Sequence, residues 1–273
     1  MDNRTFTIFG AGGFVGARLE KSLREYGHTV KTVRRDNWPK KGSDLGHVIF
    51  TIGMTAQFRG RPFATVETQT LRVYEALSYY QFESFLYLSS TRLYLGGQTT
   101  HEDSCIQVCP ASEDSIYNLT KATAECLCLS IENPNIKVVR LSNVFGPEND
   151  SELFVSAVLR EAAQTGRVVF RSAPMSNKDY IHVQDVAEIL PRITLEGRER
   201  IYNVAGGANT TNLKIAESLN QCGIETSFVQ EATNISFPQI DIGRLMREFP
   251  RPTRSLLQAM PELVDAAKKR YTR

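Results

Sequence analysis

The chain has 273 residues, 41% of them hydrophobic and 23% charged, a globular balance with enough apolar content for a sizeable core. Its 32 basic and 30 acidic residues leave a net charge of +2, and no basic stripe marks a nucleic-acid partner. No apolar stretch approaches the roughly 20 residues of a spanning helix, and Met1-Asp2-Asn3-Arg4 leads into an apolar strand without a signal-peptide core, so a cytoplasmic protein with no membrane partner is expected.

In chain order, Thr5–Phe9 predicts a strand followed by a glycine turn. Ala17, Leu19, Leu23 and Tyr26 recur at helical spacing, Gly27 closes that helix, and residues 28–33 alternate as a second strand. The short run 47–52 predicts a buried strand, 65–79 a helix and 84–89 a strand. A helix over 117–131 and a strand over 136–141 follow. Strands alternating with helices predict an α/β fold with a doubly wound parallel sheet covered on both faces. The polar loop 96–115, with Pro110, is long enough to suggest a functional segment. Beyond about residue 147 the elements shorten around Pro174, Pro191, Pro238, Pro250 and Pro252, predicting a small, irregular C-terminal lobe. Five cysteines (105, 109, 126, 128 and 222) lack CxxC spacing, so reduced thiols and no metal are expected.

Gly10-Ala11-Gly12-Gly13-Phe14-Val15-Gly16 joins the first strand to the first helix. Gly10 permits a tight turn, Gly13 lets the backbone approach a pyrophosphate, and Gly16 lets the helix pack closely. The phosphates then meet the free amides of the helix start, including those of Phe14 and Val15. This is the pattern of a dinucleotide (Rossmann) site. Residues 1–147 are therefore expected to bind NAD(P), with 178–205 returning to them and the rest of 148–273 forming a substrate-binding lobe. At the end of the second strand, where an acid would bind the ribose of NAD, the chain has Arg34-Arg35. Guanidinium groups can pair with a 2′-phosphate, which points to NADP, with NAD possible because Asp36 follows.

Ser89-Ser90-Thr91-Arg92-Leu93-Tyr94 ends a strand, at the edge where open α/β sheets bind ligands. Tyr117-Asn118-Leu119-Thr120-Lys121 opens a helix, placing Tyr117 and Lys121 on one face about 6 Å apart. A neighbouring ammonium favours phenolate, so Lys121 is expected to lower the Tyr117 pKa from about 10 toward neutrality. Tyr117 would then exchange a proton with a substrate hydroxyl, with the Ser90 hydroxyl holding the same oxygen.

Together with Arg140–Pro147, Lys178–Val186 and Ile201–Ala205, these segments resemble the extended short-chain dehydrogenase/reductases, specifically the NAD(P)-dependent epimerase/dehydratase family acting on nucleotide sugars. The resemblance spans about residues 5–210. It implies Tyr117 as acid/base, Lys121 as its partner on the nicotinamide ribose, Ser90 as the third catalytic group, and Thr91, Asn143 and Lys178 toward substrate. It also implies a homodimer. Four departures stand out. Only Asp36–Gly46 separates the second strand from the third, so the sheet edge is trimmed. No Asn occurs in the helix near Val66. Thr91-Arg92 replaces the acidic pair of the sugar 4,6-dehydratases, and Lys178 replaces an arginine. His182 reads as structural.

The expected activity is hydride transfer at a sugar C4, first as a 4-ketoreductase. A 4-epimerase with tightly held NAD is the alternative, and a non-catalytic dinucleotide-sensing protein is a third reading.

Overall fold

Strand β1 (Thr5–Phe9) carries Phe6, Ile8 and Phe9, all fully buried, and ends where Gly10 turns the chain into helix α1 (Phe14–Glu25). A computed structural model describes residues 3–54, 57–112, 114–147 and 149–271. After α1 come β2 (Thr29–Val33) and β3 (His47–Phe50). A continuous helix follows, composed of α2 (Pro62–Val66), a π turn (Glu67–Leu71) and α3 (Arg72–Tyr79). Then come β4 (Ser84–Ser90), a 3-10 turn (Thr91–Tyr94), α4 (Ser115–Ser130) and β5 (Ile136–Leu141). The second half begins with β6 (Asn143–Phe145), α5 (Phe154–Thr165), β7 (Arg167–Ser172), β8 (Asn177–His182), α6 (Val183–Glu196) and β9 (Ile201–Val204). It ends with β10 (Asn209–Thr211), α7 (Asn212–Gln221), β11 (Glu225–Thr233), α8 (Gly243–Glu248) and α9 (Leu256–Tyr271).

Six strands form one sheet in the order β2-β1-β3-β4-β5-β9, and every pair is parallel. The predicted doubly wound sheet is the one observed. On one face Leu19 and Leu23 of α1 and Val186 and Leu190 of α6 pack on Phe6, Ile8, Leu86 and Leu88. On the other, Val73 and Ala76 of α3 and Ala124 and Cys128 of α4 cover Phe9, Phe50, Phe85 and Tyr87. Each large side chain buried in this way stabilises the fold by roughly 1.5–3 kcal/mol. Beyond β2 no strand is paired among the described residues, so the sheet ends there. Strand β3 stops at Phe50 rather than Ile52, because Phe50 pairs with Phe9, the last residue of β1, and Gly10 then turns that chain away.

The C-terminal third has a core of its own, in which α5, α7 and α9 pack around Phe170 of β7. Pro191, expected in irregular structure, lies inside α6, where the packed face of the helix overrides the local cost of proline. Two small sheets, β10-β8-β6 and β11-β7, complete this part. Asp179 of β8 accepts the amides of Gly206, Gly207 and Ala208 at 2.7–3.0 Å, fixing β8 to the chain leaving β9. No helix among the described residues is long and apolar enough to cross a membrane.

Candidate active site

The glycine turn is shaped by close backbone approach. Gly10 has φ +86°, and a Cβ there would lie 2.7 Å from Thr51 Oγ1. A Cβ on Gly16 would meet the Gly10 carbonyl oxygen at 2.3 Å, so α1 rests directly on the turn. The outer side is open: Gly12 has nothing within 4 Å of its Cβ position, and Gly13 begins α1 without a side-chain cap. The first amides of the helix are thus available to an anion. Val15 packs its side chain on the sheet core, and the Phe14 ring lies 3.1 Å from the Cβ position of Gly146. Only the backbone of these two residues suits a phosphate.

A cleft of about 1320 Å³ runs from Gly10, Gly12 and Gly13 along Arg34, Arg35, Asp36 and Trp38 to Gly53 and Arg72, with residues 150–152 on the opposite rim. That exceeds the roughly 300–1,000 Å³ of ordinary small-molecule pockets, so an extended dinucleotide fits the space and the open glycine turn. Arg34 and Arg35 are exposed, and Arg34 lies 3.5 Å from Glu20. Trp38 packs edge-on against Phe9 at 5.2 Å and lies under the Arg72 guanidinium at 5.1 Å.

At the other end, the first turn of α4 buries Tyr117 against Phe58, with ring centroids 5.0 Å apart. Ser90 stands near enough to the Tyr117 phenol to act on its ionisation. Burial pushes the phenol above its ordinary pKa, while Ser90 and the Arg92 charge pull the other way without reversing it. This corrects the expectation that Lys121 would bring Tyr117 down toward neutrality. The Lys121 ammonium instead donates to the Leu88 carbonyl at 2.7 Å, beside Gly53 on the cleft floor. Burial lowers its own pKa to about 8, with Glu125 opposing.

Of the residues expected toward substrate, Thr91 is buried in the 3-10 turn, and Asn143 donates to the Asp179 carbonyl at 2.8 Å. The Lys178 ammonium sits between the rings of Phe154 and Phe237, at 5.4 and 5.6 Å. Its pKa is lowered by burial and then by the charge of Arg92. His182 caps α6, accepting the Gln184 amide at 3.1 Å. All five cysteines are free, and no group of metal-ligating side chains occurs among the described residues.

Several contributors escape a reading of the sequence. Gln69, buried in the π turn, donates to the Met54 carbonyl at 2.9 Å and accepts the Thr120 hydroxyl at 2.8 Å. It joins the helix expected to carry Asn to the helix bearing Tyr117. π turns cluster at functional sites, but the extra residue leaves no sequence signature. Asp114 pairs with both Arg92 and Arg59. Arg140 and Glu125 form a buried pair at 2.7 Å. Arg140 also donates to the Tyr94 hydroxyl, which donates to Asn203, and Asn203 holds the Thr100 carbonyl at 2.7 Å. This chain of bonds anchors the long loop between the 3-10 turn and α4.

A model of the NAD dependent epimerase/dehydratase family matches residues 61–205, more than half of the chain; the glycine turn precedes that span. A dTDP-glucose 4,6-dehydratase of Streptomyces niveus is 25% identical over 182 residues, covering 65% of this chain and 52% of the relative. The chain thus spans about half the length of the curated relatives it matches. Among solved structures, RMD from Pseudomonas aeruginosa complexed with NADPH aligns with a TM-score of 0.79 at 21% identity, covering 98% and 100% of the two chains. UDP-glucuronic acid 4-epimerase from Bacillus cereus, in complex with UDP-glucuronic acid and NAD, aligns with a TM-score of 0.79 at 16% identity, covering 98% and 100%. At these identities the structural likeness concerns the fold.

Proposed function

The chain belongs to the NAD dependent epimerase/dehydratase family, and we propose that it is an NADP-dependent reductase of a nucleotide-linked 4-keto sugar. In this reading residues 1–147, with 178–205, hold the dinucleotide, and the remainder closes over the sugar. The observation that carries it is the setting of Tyr117: it is buried against the Phe58 ring with the Arg92 guanidinium 5.8 Å away, and burial raises its pKa, so the phenol holds its proton. A phenol so held is an acid for a carbonyl oxygen. Thr91 and Arg92 provide no carboxylate for eliminating water, which argues against dehydratase chemistry.

The glycine turn and the first amides of α1 would hold the pyrophosphate, Arg34 and Arg35 the adenosine 2′-phosphate, and Lys121 the ribose next to the nicotinamide. When bound, the dihydronicotinamide supplies a hydride to the carbonyl carbon. Tyr117 and Ser90 donate hydrogen bonds to the carbonyl oxygen, and the Tyr117 proton passes to that oxygen as the alcohol forms. The Arg92 charge, 5.8 Å from the Tyr117 ring, stabilises the phenolate left behind.

A 4-epimerase holding NAD is the second reading, supported by Asp36, which lines the same cleft wall as the arginines and suits a ribose diol. Mass spectrometry of nucleotide released by denaturation separates the two. An empty protein that binds NADPH at least 10-fold more tightly than NADH supports the reductase; stoichiometric NAD supports the epimerase. Trp38, the single tryptophan, lines the cleft and provides the binding signal. A homodimer belongs to the same proposal. Phe63 is 90% exposed, and Leu71, Tyr74 and Leu119 also face outward from the helices around α4. Phe63→Glu is expected to halve the mass seen by light scattering.

A further inference from the structure

We propose that the sugar accepted by this site carries a carboxylate, and that Arg92 holds it beside the reacting carbon. The inference rests on the reading that Tyr117 works on a nucleotide-linked sugar, and deepens it by assigning the sugar's charge.

Arg92 directly follows the 3-10 turn's first residue, and its amide donates to Ser90 Oγ at 3.2 Å. Its guanidinium lies 5.4 Å from the Phe58 ring and 5.8 Å from the Tyr117 ring, so the cation stands next to the proposed acid. Stacking of this kind leaves the edge of the guanidinium for planar acceptors. One edge nitrogen pairs with Asp114. Nε is buried and has no hydrogen-bond partner among the described residues, an uncommon state for a charged donor. Asp114 does not cancel Arg92 alone, because its other oxygen takes Arg59 at 2.5 Å.

Lys178 supplies the second half of the argument. It makes no ion pair among the described residues, is flanked by two aromatic rings, and feels the charge of Arg92. Two cations set among aromatic rings, Arg92 by Phe58 and Tyr117 and Lys178 by Phe154 and Phe237, favour a ligand bringing two separate anionic groups. In a nucleotide-linked pyranose the diphosphate is attached at C1, across the ring from C4. With C4 at Tyr117, a substituent on the neighbouring carbon would come within reach of Arg92, which stands 5.8 Å from the Tyr117 ring. A carboxylate matches the guanidinium fork in plane and charge, whereas a hydroxyl offers neither.

The test is calorimetric binding to the full chain, saturated with dinucleotide, of three matched pairs: UDP-glucose with UDP-glucuronate, dTDP-glucose with dTDP-glucuronate, and GDP-mannose with GDP-mannuronate. The acidic member of the bound pair is expected to bind about 10–100-fold more tightly, the usual worth of a charged hydrogen bond. Arg92→Gln should bring that ratio close to 1. Arg92→Lys, which keeps the charge and loses the fork, should reduce it several-fold and serves where the glutamine variant does not fold. A wild-type ratio near 1, or a ratio unchanged in both variants, overturns the assignment of Arg92 while leaving the nucleotide-sugar reading in place. Binding of none of the six overturns that reading and the inference with it.

Discussion

At the dinucleotide end the backbone does the shaping, through a left-handed Gly10 and a Gly16 pressed onto its carbonyl. At the proposed sugar end side chains from separate elements set the character of the site: Tyr117 of α4 lies against Phe58 and near Arg92 of the 3-10 turn, and Lys178 of β8 feels the Arg92 charge. In the first kind of site Gly10 and Gly16 tolerate almost no added atoms. The second accepts changes of volume more readily, but its behaviour follows burial and charge.

Tyr117→Phe should produce the largest effect. Losing the phenolic proton is expected to lower turnover by about 10³-fold, with dinucleotide binding by Trp38 quenching unchanged. Unchanged turnover would remove Tyr117 from the chemistry, and a wild-type chain that binds dinucleotide but turns over nothing would favour a sensor. Gly16→Val comes next, because its Cβ collides with backbone that cannot give way. It should destabilise the fold by about 3 kcal/mol and abolish dinucleotide binding, as read by thermal unfolding and by quenching. If the variant binds normally, the backbone account of that end is wrong.

Lys121 provides a pH test. Its folded pKa is lowered to about 8 from 10.5, so between those values the unfolded chain binds more protons than the folded one. Stability from this group therefore rises with pH across that window, and is lost as pH falls through about 8. Denaturant titrations at pH 7.5 and 9.5 should show wild type gaining about 2 kcal/mol relative to Lys121→Met. The smallest effect belongs to the cleft rim. Replacing Arg34 and Arg35 together by Gln should cut any NADPH-over-NADH preference about 10-fold, a modest loss because both side chains are exposed.

Much of the architecture is legible in the chain, because its signals are local. The apolar run Thr5–Phe9, the glycines after it and the helical spacing that follows specify one βα unit within a short stretch of sequence. Tyr117 and Lys121 share a helix face for the same reason. Pro191 misleads because its helix is stabilised by packing against α1 and the sheet rather than by propensity. The Tyr117 pKa misleads because helical spacing brings Lys121 near without deciding where its ammonium points, and the Leu88 carbonyl takes it.

By itself, then, the sequence determined the parallel α/β sheet, the dinucleotide turn and the order of the Ser, Tyr and Lys motifs, all of which follow from periodicity and backbone sterics over a few residues. Only the tertiary structure decided which groups meet at the proposed sugar end: Phe58 on Tyr117, Asp114 shared by Arg59 and Arg92, and the Arg92 charge acting on Lys178. Those pairings join segments far apart in the chain. Burial and charge at such a site depend on what the fold places beside each group, and no local pattern encodes that.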